Sequence, residues 1–205
     1  MGIFNKEGNS LQLGRRSGRQ KERGGSKNGI SRLTVTRQPG QPLPGRIAAG
    51  RLQAGPFTLS CAIGQAGISR NKREGDHATP AGAFRLLCGF YRPDRGARSL
   101  WRLPSRALKP ADGWCDDPEN ASYNRHVALP FRARHENLWR EDHLYDLVIV
   151  LDHNIWPRCK YRGSAIFLHC ARPDLAPTEG CIALSRGDLR RLLPCLARRA
   201  VLTVR

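Results

Sequence analysis

The 205-residue chain has no run of 18 or more apolar residues, so it offers no candidate transmembrane helix. It is poor in acid: 17 Asp and Glu stand against 35 Lys and Arg, for a formal net charge of +18. Its first 29 residues, MGIFNKEGNSLQLGRRSGRQKERGGSKNG, contain no apolar h-region, which argues against a Sec-type leader. The Arg15–Arg16 pair is followed by no apolar run either, which argues against a twin-arginine signal. A cytoplasmic location is therefore the expectation, with the periplasm or cell envelope as the alternative. The seven cysteines are an odd number and form no CxxC, and no HxxxH occurs. A secreted disulfide framework and a zinc site are both disfavoured, and neither metal nor cofactor is expected. No helix-turn-helix, zinc-finger or RNP pattern occurs, so no specific nucleic-acid partner is expected.

The positive charge is spread widely. Residues 1–32 hold eight Lys or Arg and two Glu, a net +6 of the total +18. Residues 1–31 are rich in Gly, Arg, Lys and Ser and read as a disordered basic extension; residues 32–205 read as one domain. Within it, SRLTVTR alternates like a half-buried strand. GRIAAGRLQAGPFTLSCAIG reads as a hairpin whose second strand is Phe57–Ile63, and AGAFRLLCGFYR as a further strand. Residues 93–142 read as irregular, and a long irregular stretch in a compact domain is often functional. LYDLVIVLDHN and SAIFLHCA lack clean alternation, as expected of central strands covered on both faces. SRGDLRRLLPCLARR reads as a helix, with Ser185 as cap, Asp188 as capping-box partner, and Leu189, Leu192 and Leu193 as its apolar stripe. AVLTVR reads as a closing strand. The sum is a mainly β domain with one clear helix.

The segment FLHCARPDLAPTEGCIAL carries the candidate chemistry. His169 ends a buried strand, and Cys181 follows a Thr-Glu-Gly loop. A cysteine nucleophile needs a base or an electropositive setting to become thiolate, and a histidine on a neighbouring element supplies one. Gly180 permits a tight backbone and close approach by substrate, with N–H groups near Gly180 and Cys181 facing a developing oxyanion. Taken alone, the same two residues more often mean a core histidine and a buried thiol, because Cys–His pairs are common by chance. Cys170 follows His169 directly, so on a strand it points to the opposite face and reads as core; Cys195, at the helix end, also reads as packing. His153 and Asn154 end the LYDLVIVLDHN strand and either line a cleft or are surface polar residues. DGWCDDP, with Asp112, Trp114, Asp116 and Asp117, reads as a loop walling the cleft, or as ordinary turn chemistry.

The segment resembles the catalytic signature of the L,D-transpeptidase (YkuD) family: a strand-end His, a loop, then Ser/Thr-x-Gly-Cys and an apolar residue. Here these are His169, Thr178, Glu179, Gly180, Cys181 and Ile182. A second stretch, DHATPAGAF, is similar to the family's Thr-Pro-x-Gly-x-Phe, at Thr79, Pro80, Gly82 and Phe84. The resemblance spans roughly residues 32–205 in the family's order. There are departures: Glu179 stands where the family commonly has His, Ala183 where it often has Arg, and the loop from His169 to Thr178 is short, with Arg172 inside it as a replacement cation.

The resemblance implies a mixed β-sandwich or barrel with a helix after the cysteine. It implies Cys181 as nucleophile, His169 as proton donor and acceptor, and Gly180 as backbone oxyanion donor, with Thr178, Glu179, Arg172, His153 and Asn154 as substrate-binding candidates. It implies peptidoglycan stem peptides or muropeptides as partners, and an acyl-enzyme passed to an amine (L,D-transpeptidase) or to water (L,D-carboxypeptidase). A reading of another class is a non-catalytic basic protein that binds polyanions. The sequence specifies no oligomeric state.

Overall fold

A computed structural model describes residues 29–38, 49–96 and 102–205. The expected basic extension, residues 1–31, lies outside them except for its last three residues, and Ile30 already opens the first strand. In chain order the strands are β1 Ile30–Arg37, β2 Ala49–Ala54, β3 Phe57–Ala62, β4 Ile68–Ser69, β5 Thr79–Pro80, β6 Gly82–Tyr91 and β7 Ser105–Ala107. They continue with β8 Asp112–Cys115, β9 Arg125–Ala128, β10 His135–Asn137, β11 Leu147–Leu151, β12 Phe167–Cys170, β13 Ile182–Leu184 and β14 Leu196–Val204. The helix α1, Arg186–Leu192, precedes β14.

The main sheet runs β11-β12-β13-β3-β2-β1-β14-β6-β7, and an added β11–β6 pairing closes it on itself. The result is a closed mixed barrel. The β1–β14, β12–β13 and β6–β7 pairs are parallel and the other pairs in the sheet antiparallel. Closure leaves few sheet edges for misassembly. A smaller antiparallel sheet, β10-β8-β9, packs outside it.

Two apolar clusters follow from strand alternation. Leu147, Ile149 and Leu151 on β11 and Leu168 and Cys170 on β12 point into the barrel, with Leu33, Leu52 and Leu202 among their neighbours. Val148 and Val150 on β11 and Phe167 on β12 point outward, where Trp114, Leu138 and Tyr145 cover them. Both strands are thus covered on both faces, as the lack of clean alternation in their sequences predicts. Each fully buried side chain of this size contributes about 1.5–3 kcal/mol.

The stretch 93–142, expected to be irregular, holds four short strands, and Asp112–Cys115 is a buried strand, not a loop. Its alternation is obscured because every residue of β8 is buried, Gly113 by close approach to Leu129 and Asp112 by pairing with Arg106. Asp112 is held down to about 2: burial opposes ionisation, but Arg106, the Lys109 N–H and His126 outweigh it.

The helix starts where expected. The Ser185 hydroxyl accepts from the Asp188 N–H at 3.1 Å. The reciprocal half differs from a capping box: Asp188 accepts from the Ser185 hydroxyl at 2.7 Å. The helix ends sooner than expected, because Pro194 cannot continue the ladder. A 3-10 turn, Leu193–Cys195, hands the chain to β14, which begins four residues before AVLTVR and pairs Leu196 with Ile30. Leu189, Leu192 and Leu193 are all buried at 0% exposure, so the apolar stripe caps the barrel.

Candidate active site

β12 and β13 are parallel neighbours, with Leu168 opposite Ile182 and His169 opposite Ala183. Cys181, one residue before β13, is therefore level with Phe167 and shares a sheet face with His169. Strand geometry puts the two Cα atoms about 8 Å apart on the diagonal, within reach for side chains directed into one cleft. That cleft, about 640 Å³, is lined by both residues. Cys170 lies on the other face, 1% exposed in the barrel core, with burial raising its thiol to about 11.

The thiol and the imidazole are both held by backbone. Cys181 Sγ lies 3.1 Å from the Ala165 carbonyl, to which the thiol donates, and accepts the Phe167 N–H at 3.4 Å. His169 Nδ1 is 2.8 Å from its neighbour's carbonyl, Cys170 O. A carbonyl only accepts, so Nδ1 carries the proton and Nε2 the lone pair. The orienting partner of the histidine is thus main chain. Burial lowers the His169 pKa to about 4, against the pull of the Cys170 and Leu144 carbonyls. Burial raises the Cys181 thiol to about 12, and Glu136 adds to the rise while the Phe167 N–H and Lys72 oppose it. The resting pair near neutral pH is therefore neutral thiol and neutral imidazole.

The Thr-Glu-Gly loop is fixed by the second motif. Thr178 Oγ1 donates to the Cys181 carbonyl at 2.7 Å, and Thr79 Oγ1 donates to the same oxygen at 3.3 Å. Thr79 Oγ1 also accepts the Gly64 N–H at 2.7 Å. The two motifs, about a hundred residues apart, meet at one carbonyl beside the nucleophile. Gly180 has φ 142°, and a Cβ there would lie 3.0 Å from the Ala78 carbonyl. That backbone is strained for any side-chain-bearing residue. The Gly180 N–H donates to Thr178 Oγ1 at 3.2 Å.

The sequence candidates divide in two. Thr178, Glu179, Gly180, Cys181, His169 and Arg172 line the one cleft. His153 and Asn154 line a separate pocket of about 230 Å³ with Arg70, Lys72 and Arg162. There they hold the chain: the His153 ring bonds Arg162 O at 2.9 Å, and Asn154 Nδ2 donates to Cys159 O and Gly163 O, each at 2.9 Å. Of the DGWCDDP residues, Asp116 reaches the cleft, while Trp114 packs edge-on to Phe167, with ring centroids 5.2 Å apart.

A scan against family models matches residues 46–204 to "L,D-transpeptidase catalytic domain", YkuD. The chain belongs to the YkuD family. That family comprises cysteine-dependent enzymes acting on peptidoglycan peptides. Among solved structures, an L,D-transpeptidase from Mycobacterium smegmatis is similar at 10% identity and TM-score 0.37, over 84% of this chain and 58% of that one. The chain thus spans less than two thirds of that relative's length. No curated protein matches it. No helix among the described residues is long and apolar enough to cross a membrane.

Among the residues of the YkuD cleft that sequence reasoning missed are Lys72, Glu74, Tyr145 and Glu136. Lys72, its side chain 7% exposed, forms an ion pair with Asp76 and lies where a Cβ on Gly180 would be 3.4 Å from its Nζ. Glu74 accepts from Ser164 at 2.9 Å and from Tyr123. Tyr145 stands edge-on to His169, with ring centroids 5.3 Å apart at 88°. Glu136 accepts from the Tyr145 hydroxyl at 2.5 Å. Lys72 sits seven residues before Thr79 in the recognised stretch, which was a usable signal. Glu136 and Tyr145 had none, since their role comes from how β10 and the chain before β11 pack against β12.

Proposed function

We propose that the protein is a peptidoglycan L,D-transpeptidase acting through a Cys181 acyl-enzyme. The observation that carries this reading is the Cys181–His169 diagonal, with His169 Nδ1–H tied to the Cys170 carbonyl and its Nε2 lone pair left for the thiol. Both groups are neutral at rest, so proton transfer belongs to the attack itself. Nε2 takes the thiol proton as Sγ bonds to the carbonyl carbon of the L,D amide in a tetrapeptide stem. The oxyanion is received by the Cys181 N–H, joined by that of Gly180 as its long bond to Thr178 yields. His169 then protonates the leaving nitrogen, the C–N bond breaks, and D-alanine departs. An incoming amine attacks the thioester, its proton passes through His169 to sulfur, and the cross-link is released. Thr178 and Thr79 hold the Cys181 carbonyl, which fixes the N–H of the nucleophile loop. Arg172 and Glu179, both exposed on the cleft rim, contact the stem.

Water as acceptor gives the L,D-carboxypeptidase reading, with identical acylation. The experiment is incubation with a disaccharide-tetrapeptide beside Cys181→Ala, with products followed by mass spectrometry. Cys181-dependent loss of D-alanine with cross-linked dimer supports transpeptidation. Tripeptide alone supports the carboxypeptidase. No Cys181-dependent product refutes both.

A further inference from the structure

The chain carries +18 overall, yet its cleft does not share that sign. Four carboxylates, Glu74, Asp116, Glu136 and Glu179, face three permanent cations, Lys72, Arg140 and Arg172. Most of the cations are already engaged: Lys72 pairs with Asp76, and Arg140 donates to Asp142 at 2.9 and 2.5 Å. Asp116 is likewise engaged, by Arg134 at 3.1 Å. Glu136 is different. Its Oε1 accepts from Tyr145 at 2.5 Å and lies 3.9 Å from Arg140. Its Oε2 makes no hydrogen bond among the described residues, although the side chain is only 28% exposed. A half-buried carboxylate oxygen that lines the cleft and takes no donor from the described residues is open to a donor carried by a bound molecule.

Its position says which donor. Tyr145 joins Glu136 to the catalytic histidine: its hydroxyl binds the carboxylate, and its ring stands edge-on to the imidazole. A group bound at Oε2 is therefore in the same cleft as the Cys181 thioester. We propose that Glu136 is the acceptor-amine site: its carboxylate binds the ammonium of the incoming acyl acceptor and takes one of its protons. This rests on the acyl-transfer reading above. An aliphatic ammonium cannot attack a carbonyl. It must lose one proton to become an amine and a second as the new C–N bond forms. His169 accounts for the second, passing it to the departing sulfur. Glu136 accounts for the first: R–NH3+ and the carboxylate become R–NH2 and the carboxylic acid, which returns its proton to solvent after product leaves. Desolvation raises the Glu136 pKa from its ordinary value, with Asp116 and Glu179 adding to the rise and the Tyr145 hydroxyl and Arg140 opposing it, and the net rise favours proton acceptance. Water needs no such step, so this residue would separate cross-linking from trimming.

The test compares wild type with Glu136→Gln, using the full-length protein, a disaccharide-tetrapeptide donor and two nucleophiles at pH 7.5. Nα-acetyl-lysinamide is cationic and must be deprotonated; hydroxylamine is already neutral. The readout is the ratio of amine adduct to water product by mass spectrometry, which does not depend on the amount of folded enzyme. The expected result is a fall of about 100-fold in the lysinamide ratio, with the hydroxylamine ratio unmoved. Equal falls in both ratios, or an unchanged lysinamide ratio, overturn the assignment. Absence of any Cys181-dependent D-alanine release in wild type instead overturns the activity it rests on, and the assignment with it.

Discussion

On the inner side of β11 and β12 the barrel is filled by aliphatic groups, Ile149, Leu168 and Leu184 among them, each 0% exposed. On the outer side, one residue away along the same strand, stand Phe167 and His169, with Tyr145, Glu136 and Cys181 around them. The inner face has few polar groups, and the outer face has a thiol, an imidazole, a phenol and a carboxylate within one cleft. A strand lets the two demands coexist because successive side chains never share a face. Rigidity for the site comes from the side that does no chemistry.

Exchanging cysteines between the faces gives the largest contrast. Cys181→Ala should abolish D-alanine release, a loss of about 1,000-fold or more. Cys170→Ala, on the inner face, should leave release per folded molecule nearly intact while lowering the thermal midpoint. Assays paired with thermal melts read both. Leu168→Ala, one residue before the histidine but on the inner face, should cost about 2–5 kcal/mol in urea unfolding through the cavity it leaves.

The outer face should be the acid-sensitive one. Burial holds His169 at about 4 against an ordinary 6.5, so between those values the unfolded chain binds a proton that the folded chain refuses. Stability should fall as pH drops through that window, by up to roughly 3 kcal/mol, and His169 should contribute nothing to the pH dependence above it. Urea midpoints at pH 7 and 4.5 should fall further apart in wild type than in His169→Gln. A smaller effect belongs to the helix that caps the barrel: Ser185→Ala should cost about 1 kcal/mol with no change in activity per folded molecule.

The inner face was the legible one. The central strands around Leu147–Leu151 and Phe167–Cys170 follow from apolar content without clean alternation, and the Leu189, Leu192, Leu193 stripe from helical periodicity. So did the opposition of His169 and Cys170, which needs only strand alternation. The wall of the cleft was not legible. β8 and β10 are short, and β8 is buried on both sides, so neither shows a period. Glu136 and Tyr145 gain meaning only when β10 and the turn before β11 close over His169. His153 and Asn154 illustrate the converse: both follow β11, yet the positive φ of Asn154, 50°, turns the chain into a neighbouring pocket. Proximity to a strand end in sequence does not say which side of Lys72 a side chain will reach.

The most direct test of the account is intact-protein mass spectrometry after acid quench of the enzyme with a disaccharide-tetrapeptide. The account predicts a transient adduct equal to the donor minus D-alanine, mapped by proteolysis to Cys181 and absent in Cys181→Ala. Product formation without that adduct, or an adduct on any other residue, would contradict it.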